Sequence, residues 1–426
     1  MSASAGALSS AASVASIKRG GLAVIEQGLF GGSGFALDIL LARWLQPTQY
    51  GTFVVAYTVF LLIAAVHTAV LSEPMMVFGA SKYASGFHAY FRIILRGHWV
   101  LAGTAAALLG VSAGALWLWG SHDLGAALAG LAVAGPFVLL FWLSRRAGYV
   151  RAQLGGALRA SALYFLATTA SVAVLQVAGL LSPLLGLVGM GAGAAAASLL
   201  LLWQVKSTPA DVTHPPPRMV VADHWSYGTW SVVATVVYWC SGQILMLLIS
   251  AILGLPAAAA AAAAANLYRP LNVLAQSGSN LILPDLARLF QGSAPPIRDL
   301  VRNTVPFVFA FVGYALIASL SAEPLLHLIY RGRYDEYAVL VWLFGLTYVA
   351  SAVVQALSWV LKASGHPRAV VWVWAVSAAA VIVLGIPALR SGGLPLAVLL
   401  ISLSYILAAA MAAYQIHALR ILRVPA

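Results

Sequence analysis

Three ionisable residues stand within long apolar stretches of the sequence. Arg269 lies near the middle of the stretch 256–284, and Glu26 and Asp38 both lie within the stretch 21–42. A charged side chain at the centre of a bilayer costs at least about 3 kcal/mol, so such groups face a cavity or pair with a partner. Arg269 can hold phosphate oxygens in a bidentate manner through its planar guanidinium. The position predicts either a cavity-facing cation suited to a phosphate group or an ion pair with Glu26 or Asp38.

Amide side chains accompany Arg269 on the same stretch and recur on two others. The three- and four-residue spacing of a helix places most of the first group on the face that carries Arg269. Such amides line a cavity or bond neighbouring helices to each other. The candidates are Asn266, Asn272, Gln276 and Asn280 beside Arg269, with Gln243 and Gln355 on two other apolar stretches.

Three carboxylates are candidates for ion coupling or gating, namely Glu26, Asp38 and Glu73. A carboxylate at membrane depth can carry a proton between the two sides. Each also has a simpler interpretation as the partner of a nearby basic residue. These alternatives place Glu26 beside Lys18 or Arg19, Asp38 beside Arg43, and Glu73 beside Lys82.

The densest basic cluster of the sequence contains Arg145, Arg146, Arg151 and Arg159, and Arg92 and Arg96 lie at the predicted cytoplasmic start of the third apolar stretch. One interpretation is an electrostatic entry for an anionic substrate. The other is that these residues set the topology and attract anionic lipid head groups, at about 1 kcal/mol each. Both interpretations require the arginines to reach the cytoplasmic surface.

The composition defines the elements that must position these residues. Hydrophobic residues make up 62% of the 426 residues and charged residues 8%, whereas a soluble domain carries about 25% charge. The chain is therefore predicted to be an all-α polytopic membrane protein. A single cysteine, Cys240, excludes a disulfide framework. The net charge of +12 is attributed to cytoplasmic loops, and no nucleic-acid partner is expected.

Twelve apolar stretches are long enough to cross a bilayer, which takes about 20 helical residues. They predict spans at 21–42, 52–73, 93–119, 124–143, 158–180, 183–204, 226–252, 256–284, 303–322, 337–361, 369–389 and 394–417.

The basic residues predict the orientation of these spans. With the N-terminus in the cytoplasm, only Arg43, Arg331, Arg333 and Arg390 of the 23 lysines and arginines face the opposite side, and Arg269 lies within a span. This distribution follows the positive-inside rule. Both termini are therefore predicted to be cytoplasmic.

An internal repeat is indicated by an offset of about 210 residues, which aligns turns and prolines of the two halves. The aligned features are the turn 44–47 with 253–256, Pro74 with Pro284, and Gly155 with Gly365. Two parallel repeats of six spans would enclose a central cavity and suit alternating access. The predicted organisation is a tail at 1–20, an N-lobe at 21–205, a cytoplasmic linker at 206–225, a C-lobe at 226–418 and a tail at 419–426.

Three segments resemble motifs of the polysaccharide and oligosaccharide flippases, the Wzx-type branch of the MATE-like superfamily. Residues 40–53 resemble the run between the first two spans that ends in Tyr-Gly-x-Phe. Residues 324–334 resemble the leucine-rich segment before span ten, although Arg331 interrupts its Tyr-Gly pair. Residues 361–368 resemble the Ala-x-Gly-x-x-Arg loop. The resemblance covers nearly the whole chain, but many members have fourteen spans rather than twelve.

The resemblance implies flipping of a polyprenyl-diphosphate-linked oligosaccharide across the bacterial inner membrane, for exopolysaccharide or O-antigen synthesis. Membrane lipids, and polymerase and export proteins of the same pathway, are the implied partners. Catalytic activity, a metal and a cofactor are not expected, since no P-loop or His-Glu-x-x-His motif occurs; coupling to a proton or sodium gradient is possible. The alternatives are a multidrug or organic-cation antiporter of the same superfamily and a membrane-embedded glycan polymerase.

Overall fold

The protein is described by a computed structural model that covers residues 2–151, 153–206, 214–290 and 295–421. Almost all of these residues are helical. The helices are α1 (Ser2–Trp44), α2 (Pro47–His67), α3 (Glu73–Gly79), α4 (Phe87–Leu118), α5 (His122–Val150), α6 (Leu154–Val177), α7 (Pro183–Lys206), α8 (Pro217–Gly242), α9 (Ile244–Leu253), α10 (Leu255–Asn266), α11 (Arg269–Leu289), α12 (Ile297–Leu320), α13 (Ala322–Tyr330), α14 (Ala338–Ala363) and α15 (Pro367–Ala418).

Nine of the described helices are long and apolar enough to cross a membrane on their own. A tenth span results when α8 and α9, which meet at a bend of 40°, are taken together. The predicted all-helical, multi-pass membrane fold is confirmed. Within α15, Gly393 has φ 60° and ψ −150°, a conformation that only glycine adopts readily. This break separates the predicted spans 369–389 and 394–417.

The predicted span 256–284 is divided into two helices. The short apolar helix α10 ends at Asn266 and the more polar α11 begins at Arg269. Because Pro270 has no backbone N–H to donate, it is tolerated in the first turn of α11. The break therefore places Arg269 at the start of a helix rather than in the middle of one.

The chain forms two compact units whose boundaries differ from those of the predicted lobes. The first unit contains Met1–Leu37 and Ile63–Val232, and the second contains Asp38–Leu62 and Val233–Ala426. Residues 38–62, which the sequence assigned to the N-lobe, thus belong to the second unit. The six-plus-six repeat itself stays a prediction.

In the first unit, α5 packs closely against α7 because glycines face backbone atoms. A Cβ on Gly130 would lie 2.9 Å from the carbonyl oxygen of Leu184, and one on Gly191 would lie 2.7 Å from Cα of Ala134. Small residues allow such close contacts where the membrane itself supplies no hydrophobic driving force between helices. This packing forms the framework for the buried side chains of α5.

In the second unit, α14 packs against both α12 and α15, and α10 is buried among its neighbours. The alanines Ala258–Ala264 of α10 are almost completely buried, which small side chains permit on every face of a helix. The first residue of α10 also contacts the start of α2, where a Cβ on Gly51 would collide with the Leu255 carbonyl. The Tyr-Gly pair at 50–51 therefore has a packing reason, since only glycine fits there.

Candidate functional site: a polar cavity and two buried ion pairs

A cavity of about 430 Å³ lies in the second unit and is the main candidate site. Four of the predicted amides line it, namely Gln243, Asn272, Gln276 and Gln355. Hydroxyl groups of Ser279, Thr347 and Ser351 add to the polar lining, and aromatic side chains supply much of the rest. The structure therefore brings together amides that the sequence placed on three separate spans.

Local helix geometry explains how these polar groups reach one cavity. Asn272 and Gln276 are four residues apart on α11, so they share a face. Ser351 and Gln355 are related in the same way on α14. Gln243 lies at the bend between α8 and α9, where the preceding Gly242 allows the Tyr405 hydroxyl to approach.

The aromatic part of the lining was not found from the sequence. Tyr238, Tyr348, Trp374 and Tyr405 all line the cavity. The ring of Trp374 lies edge-on to those of Tyr238 and Tyr405, with centroids 4.8 Å and 5.6 Å apart. Tyr348 stacks on Tyr268 at 5.1 Å. The tyrosines within the predicted spans are the sequence feature that indicates such a lining. Tyrosines also pack in contacts between helices, so this feature does not distinguish the two.

The described residues that line the cavity include no lysine, arginine, aspartate or glutamate. Amides and hydroxyls both donate and accept hydrogen bonds, and aromatic faces offer flat apolar surfaces. This combination suits a neutral molecule that carries many hydroxyl groups. An organic cation would find aromatic faces in this lining but no carboxylate among the described lining residues.

Arg269 does not line this cavity. It forms an ion pair with Asp38, the alternative that the sequence left open, whereas the alternative pair of Asp38 with Arg43 is wrong. The Asp38 side chain is 4% exposed and that of Arg269 is 28% exposed. Asn266 does not line the cavity either, because it is buried and donates a hydrogen bond of 2.9 Å to the Tyr50 hydroxyl.

An aromatic ladder on α2 runs beside the Arg269–Asp38 pair. Tyr50, Phe53 and Tyr57 stack in succession, with ring centroids 6.1 Å and 5.5 Å apart. The hydroxyl groups of Tyr50 and Tyr57 lie near both members of the ion pair. The pair thus has aromatic neighbours, and the Arg269 side chain stays 28% exposed.

Glu26 lies in the first unit and is fully buried. Both of its carboxylate oxygens accept hydrogen bonds from Arg145 at 3.0 Å, and Ser161 donates a third at 2.5 Å. Tyr149 donates a fourth hydrogen bond. The Arg145 guanidinium also lies over the ring of Phe30, 3.7 Å from its centroid.

This network corrects the interpretation of Arg145 as an exposed entry residue. Its side chain is 7% exposed and is occupied by Glu26. Arg146 is half-buried beside it, whereas Arg92 and Arg96 are exposed. Glu26, which lies 119 positions before Arg145 in the sequence, causes this difference by pairing with it. The sequence alone therefore could not separate the four arginines.

Glu73 accepts a hydrogen bond from Ser231 rather than pairing with Lys82. Lys82 instead forms an ion pair of 2.7 Å with Asp223, which also accepts a hydrogen bond of 2.5 Å from Tyr83. Burial, followed by this hydrogen bond, raises the pKa of the Tyr83 hydroxyl. A turn of π-helix, Thr68–Ser72, directly precedes Glu73. The side chain of Asn280, the remaining candidate, lies outside the described part of the chain.

Comparisons with known proteins identify the fold. No protein-family model matches the sequence, and no curated protein matches it either. Solved structures match over most of their length. The lipid II flippase MurJ in an inward closed conformation has a TM-score of 0.73 at 12% identity, with 94% of this chain and 87% of that chain covered.

Two MATE transporters match in the same way. An inward-facing MATE family transporter of the MOP superfamily has a TM-score of 0.68 at 14% identity, covering 92% of this chain and 95% of that one. The eukaryotic MATE transporter AtDTX14 has a TM-score of 0.65 at 16% identity, covering 94% and 95%. At these identities the likeness concerns the fold, so the chain has the fold of MATE-type transporters and of MurJ.

Proposed function

We propose that the protein flips a lipid-diphosphate-linked oligosaccharide across the bacterial inner membrane by alternating access. The observation that carries this proposal is the cavity of the second unit, with its amides, hydroxyls and aromatic rings and no ionised group among its described lining residues. The fold likeness to a lipid II flippase supports the same class of transport. Exopolysaccharide or O-antigen synthesis is the proposed pathway, with its polymerase and export proteins as partners.

The sugar part of the substrate would occupy this cavity. Gln243, Asn272, Gln276 and Gln355 would exchange hydrogen bonds with sugar hydroxyls, since each amide has both donors and acceptors. The rings of Tyr348 and Trp374 offer apolar faces for the C–H side of a pyranose. A cavity of about 430 Å³ is within the usual range of roughly 300–1,000 Å³ for small-molecule sites.

Arg269 would bind the diphosphate, and substrate would displace Asp38 from it. A guanidinium contacts phosphate oxygens in the same bidentate geometry as a carboxylate, so the exchange preserves its hydrogen bonds. Its exposed fraction of 28% gives a ligand access to it. Release of Asp38 would produce a carboxylate that can take up a proton or sodium ion, which would couple transport to a gradient.

The alternative is an organic-cation antiporter, which the likeness to MATE transporters favours. Transport of a cation requires a negative or aromatic-caged site. Asp38 is neutralised by Arg269. The described lining of the cavity offers a cation aromatic rings but no carboxylate. A single assay can separate the two functions.

The test is reconstitution in liposomes with a fluorescent polyprenyl-diphosphate oligosaccharide, scored by its accessibility to an impermeant glycosidase. We expect protein-dependent movement that falls at least tenfold in Arg269→Ala. Arg288→Ala is the matched control, because Arg288 lies on the same helix and its side chain is 72% exposed. Full movement in Arg269→Ala would remove its proposed role, and proton-driven uptake of an organic cation without glycan movement would favour the antiporter.

A further inference from the structure

A second concave region lies in the second unit, separate from the polar cavity. It is an apolar groove of about 550 Å³ on α14, between α12 and the end of α15, and is called here the α14 groove. Its apolar lining includes Leu300, Val301, Val360, Ala413 and Ile416. The groove was not predicted from the sequence, and it has no role in the proposed transport path.

The groove follows from how three helices end. α12 and α15 each pack along α14, and α12 begins at the level where α14 and α15 end. Leu300, Val360 and Ile416 are 4–6% exposed and form its floor, while Val301 is 46% exposed. The small side chain of Ala413 leaves space between α15 and α12. The groove is therefore built from well-packed residues and is not a gap between loosely placed helices.

One end of the groove is basic. His417 and Arg420 are the ionisable residues among its described lining, and both are exposed. Arg420 follows the last turn of α15 in the left-handed conformation, with φ 51°. A hydrogen bond of 3.1 Å from the N–H of Ile421 to the carbonyl of Ile416 closes this turn. Ile421 is 6% exposed, and its packing holds Arg420 at the mouth of the groove.

We infer that the α14 groove binds an acyl chain of an anionic phospholipid whose phosphate contacts Arg420 and His417. An apolar groove that ends in cations matches an amphiphile with an anionic head. The predicted topology puts this end of the unit at the cytoplasmic interface, where phospholipid head groups lie. The lining on α12 extends from Ile297 to Thr304, about 10 Å by helical rise, which suits the first part of an acyl chain. Lipid binding here is independent of what the protein transports.

The test is native mass spectrometry of the purified full-length protein with phosphatidylglycerol or phosphatidylcholine of identical chains. We expect one tightly held lipid and a preference of about fivefold for phosphatidylglycerol, the value that one cation contributes at a membrane surface. Arg420→Gln should abolish the preference. Arg390→Gln, which changes an exposed arginine elsewhere on α15, should retain it.

A second pair of variants tests the apolar part. Ala413→Phe should fill the groove and reduce binding of both lipids at least tenfold, whereas Ala410→Phe, at an exposed alanine outside the groove, should not. Equal binding of the two lipids by the wild type, or unchanged binding in Ala413→Phe, would overturn the inference. Displacement of phosphatidylglycerol by equimolar polyprenyl diphosphate would overturn the choice of occupant.

Discussion

Two ion pairs join α1 to later helices, and they differ in how completely their charges are satisfied. In the first unit, Glu26 accepts hydrogen bonds from Arg145, Tyr149 and Ser161 and is fully buried. In the second unit, Asp38 pairs with Arg269, whose guanidinium stays partly exposed. A carboxylate and an arginine thus form a closed structural network in one unit and an accessible pair in the other.

The difference indicates which pair can respond to a ligand. Every contact of Glu26 would have to be replaced before an anion could reach Arg145, and the ring of Phe30 covers the guanidinium as well. Arg269 needs only to exchange one carboxylate for another anion. Accessibility, rather than the presence of a charge at membrane depth, therefore separates a functional candidate from a structural one.

The largest effect is expected at the closed pair. Arg145→Ala leaves Glu26 buried without its counter-charge, which should cost about 3–5 kcal/mol of folding free energy. Thermal unfolding in detergent, followed by size-exclusion chromatography, measures this loss. The double variant Glu26→Gln/Arg145→Gln should recover part of the stability. A wild-type melting profile for Arg145→Ala would show that the network contributes little and would weaken the contrast.

The next effect concerns transport rather than stability. Asp38→Asn removes the carboxylate but keeps a group of similar size, so Arg269 loses its partner and becomes more available. We expect glycan binding at least as tight as in the wild type, together with loss of stimulation by an ion gradient. Substrate binding and gradient-driven flipping are measured separately in the same liposomes. Weaker binding would contradict the proposed displacement of Asp38.

A smaller effect is expected from single groups that support each site. Tyr149→Phe removes one hydrogen bond to the Glu26 carboxylate and should cost about 2 kcal/mol of stability without changing transport. Gln276→Ala removes one cavity amide and should weaken glycan binding about fivefold at unchanged stability. Melting temperature and a binding isotherm on both variants test this. Altered transport in Tyr149→Phe, or altered stability in Gln276→Ala, would contradict the assignment of stability to the first site and of glycan binding to the second.

The smallest effect is expected at the exposed pair of Lys82 and Asp223. The Lys82 side chain is 44% exposed, and such pairs contribute at most about 1 kcal/mol. Lys82→Gln should therefore shift the melting temperature only slightly, and less so at high salt. Melting temperatures of Lys82→Gln and Arg145→Ala, measured at two salt concentrations, show how small the first shift is beside the second. A loss as large as that of Arg145→Ala would contradict the ranking by burial.

Several features of the fold were readable from the sequence because they depend on local composition. Apolar length predicted the spans, and the break at Gly393 lies between two spans that were predicted as separate. Helical spacing placed Asn272 and Gln276 on one face, and both line the cavity. Pro270 predicts a kink within the span 256–284, and the structure divides that span into α10 and α11 just before this proline.

The amino-acid sequence by itself determined a multi-pass helical membrane protein with amides and an arginine at membrane depth, since composition and periodicity are local properties. The pairing of the charges was decided by tertiary structure. Arg145 appeared to be a surface residue until α5 placed it against Glu26, and Asp38 meets Arg269 from the other half of the chain. The aromatic lining was decided in the same way, because a tyrosine on an apolar helix faces lipid, a neighbour or a cavity according to how that helix is packed.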